Sequence, residues 1–196
     1  MGLFFVIFSM KHYLKIFAFI LALSNITAQE SQTTLAILDF EGRGINSLEA
    51  ATLTDRFTSE IGKTETMTLV DRTMVEEILK EQGFQQTGCT TDEWAVEVGA
   101  MLGVQFMISG AIGKLGDTFT IDAKMVSVES GASVETRNVT YIGKVDGLVT
   151  EIELLAWDIM NIEPPQELKE KKRLGAQAFL EASAAQKTRM GSLMRS

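Results

Sequence analysis

The feature that most constrains the fold is a change in hydrophobic period near Gly103. Before this residue, large apolar side chains recur every four positions, as at Leu53, Phe57 and Ile61, which predicts helices with one buried face. After it, the segment 119–125 alternates apolar and polar residues, which predicts a strand with one face in solvent. A chain that carries both patterns is expected to pack helices against a sheet.

The element order predicted from these patterns is β-α-β-α-α-β-β-β-α. Segments 34–40 and 67–72 are short apolar runs typical of strands with helical cover, and 133–143 is a last strand whose phase shifts, which favours a bulge or an edge. The first helix is predicted to open at Ser47. The later ones are predicted to start at the capping boxes of Thr73 with Glu76 and Thr90 with Glu93, and at Asp146 as a cap. We therefore predict the α/β class, an α+β sandwich with one mixed sheet.

The first 28 residues carry the pattern of an export signal. Two lysines precede an apolar run at 16–23, and cleavage is expected after Ala28. The alternative is a membrane anchor, because residues 3–23 approach the roughly 20 residues that span a bilayer. A second apolar stretch before Met10 leaves open whether translation begins there or at the first methionine. No cysteine stands directly after the run, so we expect no acyl anchor.

Three regions are predicted along the chain: a signal peptide at 1–28, an α/β domain at 33–160 and a charged helical tail at 161–196. The only prolines, at 164 and 165, mark the end of the domain. Two interpretations of the tail stay open, a partner-bound helix and a solvated one. Because its basic end stops without a turn or cap, we interpret the chain as truncated there.

The scarce residue types exclude most familiar catalytic chemistry. His12 is the only histidine and Cys89 the only cysteine, so a mature chain cut after Ala28 holds no catalytic triad with histidine, no histidine metal site and no Cys₄ zinc site. The net charge of −8 disfavours nucleic acid as a partner. Glycines in the loop 41–44 lack the spacing of a nucleotide-binding motif. We predict no enzyme activity and no cofactor.

Two carboxylates remain as weak candidates for a binding site. Asp39 and Asp71 follow the first two predicted strands, and the carboxyl ends of strands in an open α/β sheet border a ligand crevice. There they could hold a metal or act as acid and base, whereas turn and helix-cap roles are the simpler interpretation. Cys89 has no partner within the chain, and we favour a free thiol over an intermolecular bridge.

Several stretches resemble the CsgG-type domain of the curli assembly and transport component. They are LAILDFEGRG, the run LVDRTMVEEILKEQGF, GCTTDEWAVEVG, and GAIGK before the hairpin, and the resemblance covers roughly 34–159. It implies a sandwich similar to the N-terminal domain of TolB and to anticodon-binding folds. Its members secrete curli subunits through an outer-membrane pore or are periplasmic lipoproteins that activate cell-wall synthases.

The resemblance implies a non-enzymatic protein of envelope assembly or secretion that acts through protein contacts. Expected partners are envelope proteins or further copies of the chain, in the periplasm of a Gram-negative bacterium, with peripheral outer-membrane association. Alternatives are a ligand or metal sensor using Asp39 and Asp71, and an oligomeric secretion channel. The sequence departs from the family at Trp94, which stands where relatives carry the second cysteine of a disulfide with Cys89.

Overall fold

The protein is described here from a computed structural model, which covers residues 32–83 and 91–193. The strands are β1 (Thr34–Ile37), β2 (Glu41–Arg43), β3 (Thr68–Leu69), β4 (Phe106–Leu115), β5 (Thr118–Ser127) and β6 (Ser133–Ile142). The helices are α1 (Ser47–Lys63), α2 (Arg72–Glu81), α3 (Asp92–Leu102), α4 (Val145–Ile159) and α5 (Gln166–Leu193).

One mixed sheet organises these elements, in the strand order β3-β1-β4-β5-β6. β1 runs parallel to β3 and β4, whereas β4, β5 and β6 form an antiparallel meander. β2 was not predicted, since the glycines of 41–44 indicated a turn. The chain instead bends after β1 and pairs with β4 again, with Glu41 opposite Ala111. The predicted fold class is confirmed.

Two apolar clusters lie on opposite faces of the sheet. The larger one joins α1 and α4 to the inner face of the strands. Its centre includes Phe57, Ile121 and Ile152, which are fully buried. The smaller one joins α2 and α3 to the outer face around Met107. Helices therefore cover both faces, although the smaller cluster lies only beside β1 and the first part of β4.

The first helix starts where the sequence predicted, and the second does not. α1 begins at Ser47, and Asn46 before it forms a capping box with Glu49. α2 begins at Arg72, because the Asp71 carboxylate already accepts the Thr73 amide hydrogen at 2.8 Å, and the predicted box of Thr73 with Glu76 is wrong.

The caps of the two following helices also differ from the predicted ones. α3 is capped by Thr91 rather than by Thr90, and Thr90 lies outside the described residues. α4 has Lys144 at its N-cap without a side-chain hydrogen bond, so Asp146 lies inside the first turn instead of capping it. Several residues can accept a hydrogen bond near a helix start, and the backbone path into the helix decides which one does.

The predicted strand patterns hold for the last two strands. β5 buries Phe119 and Ile121 on one face while Thr120 and Asp122 on the other are exposed. β6 is an edge strand, and its pairing with β5 shifts between Met125 and Val126, as expected for a bulge. The pattern in β4 is different, because both of its faces are buried over Met107 to Ser109.

Candidate interaction surface

The first candidate carboxylate, Asp39, is held by an ion pair. It lies just after β1 and accepts hydrogen bonds from the Arg72 guanidinium at 2.8 and 2.9 Å. Arg72 also binds Asp55 and Glu76, so one cation is shared by three carboxylates. Burial raises the pKa of Asp39, although the nearby Arg72 charge acts in the opposite direction. This arrangement joins α1 and α2 to the carboxyl end of β1.

The second candidate, Asp71, caps α2 and is exposed. Its pKa is lowered by the hydrogen bonds that it accepts from the side chain and backbone of Thr73. The two carboxylates therefore have different partners instead of sharing a ligand. Among the described residues, no group of three or more His, Cys, Asp or Glu side chains is placed to hold a metal ion.

The other residues singled out by sequence fall in different places. Trp94 lies on α3 and packs beside the smaller core cluster. Cys89 and Ala28 lie outside the described residues. Within 32–83 and 91–193, no helix combines the length and the apolar character required to cross a membrane.

Ion pairs attach the first turns of α5 to the domain. The Glu153 carboxylate on α4 is 1% exposed and contacts Arg56 of α1 at 2.5 Å and Lys171 of α5 at 2.7 Å. Burial by itself raises the pKa of Glu153, but the hydrogen bonds from Lys171 and Arg56 outweigh it and hold that pKa below its ordinary value. Lys172 adds a second link to Glu151, at 3.0 Å.

Beyond this attachment, α5 exposes apolar residues. Leu174, Phe179 and Leu180 are all more than half exposed. Phe179 and Leu180 line a groove of about 360 Å³ whose other wall includes Tyr141 and Ile142 at the end of β6. The sequence left open whether this tail is solvated or bound to a partner, and the structure shows a helix with an uncovered apolar side.

A second surface left mostly uncovered by the described helices is the outer face of the antiparallel meander. The register places side chains of four strands there: Glu41 and Arg43 from β2, Ser109, Ala111, Gly113 and Leu115 from β4, Thr118, Thr120, Asp122 and Lys124 from β5, and Thr136, Asn138, Thr140 and Ile142 from β6. We call this surface the bare face. α3 reaches it only at one edge, where Asp92 pairs with Lys124 at 3.0 Å.

The bare face is polar, and its centre is concave. Thr120, Asn138 and Thr140 are exposed. The β4 column is made of small residues, so that Ser109 and Ala111 form the floor of a depression of about 230 Å³. Polar positions of β5 indicated a solvated face in the sequence, but the depression follows from cross-strand register, which the sequence did not reveal.

Several solved structures are similar to this fold. The lipoprotein GNA1162 from Neisseria meningitidis is 11% identical with a TM-score of 0.50, over 78% of this chain and 96% of that one. The LpoB C-terminal domain from Salmonella enterica is 13% identical with a TM-score of 0.48, over 59% and 87%. TolB from Acinetobacter baumannii is 8% identical with a TM-score of 0.45, over 67% and 29%. At such identities the likeness concerns the fold alone.

The sequence itself shows the family. Residues 17–134, more than half of the chain, match the family described as peptidoglycan-synthase activator LpoB. The chain belongs to this family. No curated protein sequence matches it. The family's description, an activator of peptidoglycan synthases, is consistent with the predicted envelope protein partners.

The family match corrects the predicted recognition and function. The assignment to the CsgG family is wrong, and with it the predicted role in curli assembly, secretion or transport, because the matching family is that of LpoB. The sensor and secretion-channel alternatives are wrong for the same reason. The described parts of the motifs quoted for CsgG lie in strands and helices around the two cores, so these motifs indicated the fold and did not discriminate between families.

Proposed function

We propose that this protein binds a peptidoglycan synthase in the bacterial envelope and stimulates it through protein–protein contact. The observation that carries the proposal is the family match over residues 17–134. The bare face supports it, because it is an open surface of a stable sheet with no helix of the described residues across it.

The protein itself does not catalyse the reaction in this proposal. The two carboxylates that could act as acid and base have structural roles instead, because Asp39 pairs with Arg72 and Asp71 caps α2. The activator changes the rate by binding the synthase state that works faster, which requires only differential affinity between two states of the enzyme. We further propose that the chain works in the periplasm, in peripheral association with the outer membrane.

The test measures synthase activity with and without the purified full chain. A bifunctional peptidoglycan synthase from a bacterium that encodes this chain is supplied with lipid-linked precursor in detergent, and polymerisation is followed by fluorescence. We expect a several-fold rise in rate that saturates at one activator per synthase, and direct binding in the micromolar range or tighter, about −8 kcal/mol. No rise in rate together with no binding overturns the proposal.

Two further expectations from the sequence, self-association and the division of the chain into three regions, remain predictions. Self-association was the second partner class, and light scattering on the full chain measures it directly. The division into 1–28, 33–160 and 161–196 is tested by sequencing the N-terminus of the exported protein and by limited proteolysis. A cut after Ala28 supports the signal peptide over the anchor.

A further inference from the structure

We propose that the outer edge of β6 accepts an extended segment of a partner protein as an additional strand. Two apolar side chains of that segment, two positions apart, enter two grooves beneath the edge. The partner is recognised by its backbone and by this spacing of its side chains, and not by charge. The proposal concerns the edge of the sheet, separate from the bare face, and does not depend on the proposed function.

The backbone of β6 is open on one side. β6 is the last strand of the sheet, and among the described residues it pairs only with β5. The Gly143 amide donates to the Asp117 carbonyl oxygen at 3.0 Å, so this amide faces β5. Because backbone groups alternate in direction along a strand, the N–H and C=O groups of Asn138, Thr140 and Ile142 face away from β5. Such an edge is a template for another strand.

Arg137 sets one end of the open edge. Its guanidinium donates to the Thr136 carbonyl oxygen at 3.0 Å and to the Asn161 side chain at 2.7 Å. The edge is therefore open from Asn138 to Ile142, which is about 16 Å of strand. An added segment of about five residues matches this length.

Two grooves lie beneath the open edge, between β6 and α5. The first includes Val139 and has a volume of about 620 Å³, and the second includes Tyr141 and has a volume of about 360 Å³. We call them the Val139 groove and the Tyr141 groove. The apolar side chains that line them from the helical side are Leu154, Leu155 and Ile162 in the first, and Ala176, Phe179 and Leu180 in the second.

The spacing of the two grooves fits a strand. Val139 and Tyr141 are two positions apart on β6, and side chains two positions apart point to the same face of a strand. Two side chains of an added strand that lie opposite Val139 and Tyr141 would therefore enter one groove each. A helix has its backbone groups bonded internally and cannot pair with the edge. The occupant is therefore an extended segment.

The grooves select uncharged side chains. Each charged side chain that lines them is already in an ion pair: Glu151 with Lys172, Asp158 with Arg137, Glu163 with Lys169, and Lys171 with Glu153. A charged side chain of the partner would have to displace one of these pairs. An apolar side chain would instead cover Phe179 and Leu180, which are more than half exposed. The two inward side chains of the segment are therefore apolar.

A second copy of the chain does not fit this edge through its own β6. In such a pair each β6 would lie on the edge of the other, so both copies of α5 would fall beneath the shared edge. The inward side chains of the added strand require that same space. A segment without helices of its own meets no such obstacle, so the partner contributes an isolated strand.

The experiment measures the binding of synthetic peptides to the purified full chain by fluorescence anisotropy. The probe is a nine-residue peptide with leucine at its fourth and sixth positions and serine or threonine elsewhere. The control peptide has the same composition with leucine at its fourth and fifth positions, which point to opposite faces of a strand. Amide hydrogen exchange followed by NMR locates the contact.

Three variants of the chain test the two parts of the contact. Thr140→Pro removes an amide hydrogen that faces away from β5, a change that an edge strand tolerates. Ala176→Trp fills the Tyr141 groove, and Ala178→Trp is its matched control, exposed on the same helix outside both grooves. Circular dichroism checks that each variant melts as a folded protein.

We expect the probe to bind with a Kd of about 0.1 mM or lower, and the control peptide to bind about tenfold more weakly. Thr140→Pro and Ala176→Trp should each weaken binding of the probe by about tenfold or more, and Ala178→Trp by less than about twofold. The bound probe should slow exchange of the Asn138 and Ile142 amides by about tenfold or more, because these amides become hydrogen-bonded.

The inference is wrong if the probe does not bind at up to about 1 mM, if both peptides bind equally, or if binding leaves the exchange of the edge amides unchanged. It is also wrong if light scattering shows a dimer that Thr140→Pro dissociates and with which the probe does not compete, because the occupant is then a second copy. No synthase is present in these measurements, so their failure leaves the proposed function intact.

Discussion

The two faces of the sheet formed by β4, β5 and β6 differ in burial, although the same strands supply both. On the inner face, Ile112 and Ile121 are fully buried under α1 and α4. One residue away along the chain, Thr120 and Asp122 are exposed on the bare face. Because side chains alternate across a strand, each strand can supply stability with one face and leave the other free to change. The comparison separates the residues that maintain the fold from those that can contact a partner.

The largest predicted difference between the faces concerns two neighbours in β5. Ile121→Ala removes buried methyl groups and leaves a cavity, so we expect it to lower the free energy of unfolding by about 2–5 kcal/mol. Thr120→Ala, on the bare face, should change it by less than about 0.5 kcal/mol. Urea denaturation of both variants measures this, and equal losses would contradict the division of the sheet into two faces.

A matched pair of glycines in β4 sharpens the comparison. A Cβ atom at Gly110 would lie 2.5 Å from the backbone oxygen of Asp122 and 3.0 Å from the Phe40 ring, neither of which can move without shifting the sheet. We expect Gly110→Ala to cost about 1–3 kcal/mol of unfolding free energy.

The second glycine of the pair, Gly113, faces the bare side. There a Cβ would meet the Thr120 hydroxyl at 2.6 Å, and that hydroxyl can rotate away. Gly113→Ala should therefore be close to neutral. Thermal unfolding followed by circular dichroism compares the two variants directly, and a greater loss for Gly113→Ala would show that the bare face is packed.

The smallest predicted effect is the pH dependence of stability that comes from the ion pairs of Glu153, on a helix that covers the inner face. The pKa of Glu153 is lower in the folded state than in the unfolded state. Its ion pairs therefore stabilise the fold fully at a pH above the unfolded-state pKa, about 4.3. This stabilisation is lost as the pH falls through the folded-state pKa. Urea midpoints between pH 7 and pH 3 should fall less steeply in Glu153→Gln. Identical slopes in the two proteins would exclude Glu153 as a source of the acid response.

The sequence was a good guide wherever one chemical pattern has one structural outcome. The four-residue period of α1 predicted its buried stripe, and the alternation in β5 predicted both the core residues and the solvated side. Gly103 ends α3 in the left-handed conformation, at φ 68°. These features are local, because each depends on residues within one or two turns or strand repeats.

Sequence reasoning failed where several outcomes fit the same residues. Asp39 follows a strand and lines a crevice of about 620 Å³, but Arg72, 33 positions later in the chain, lines the same crevice and pairs with its carboxylate. The loop at 41–44 resembled a turn, and only its alignment with β4 makes it a strand. The family was misidentified because the quoted motifs follow the elements of the fold, and a fold by itself does not identify a family.

The amino-acid sequence by itself determined the helices, the two-faced strands of the meander and the lack of a histidine beyond residue 12, because composition and period are properties of the chain alone. Tertiary structure decided which strand lies beside which, and therefore that Ser109 lies in a floor between Arg43 and Lys124. The physical reason is that register is set by contacts between residues far apart in the chain, and a one-residue slip would turn Ser109 towards the core.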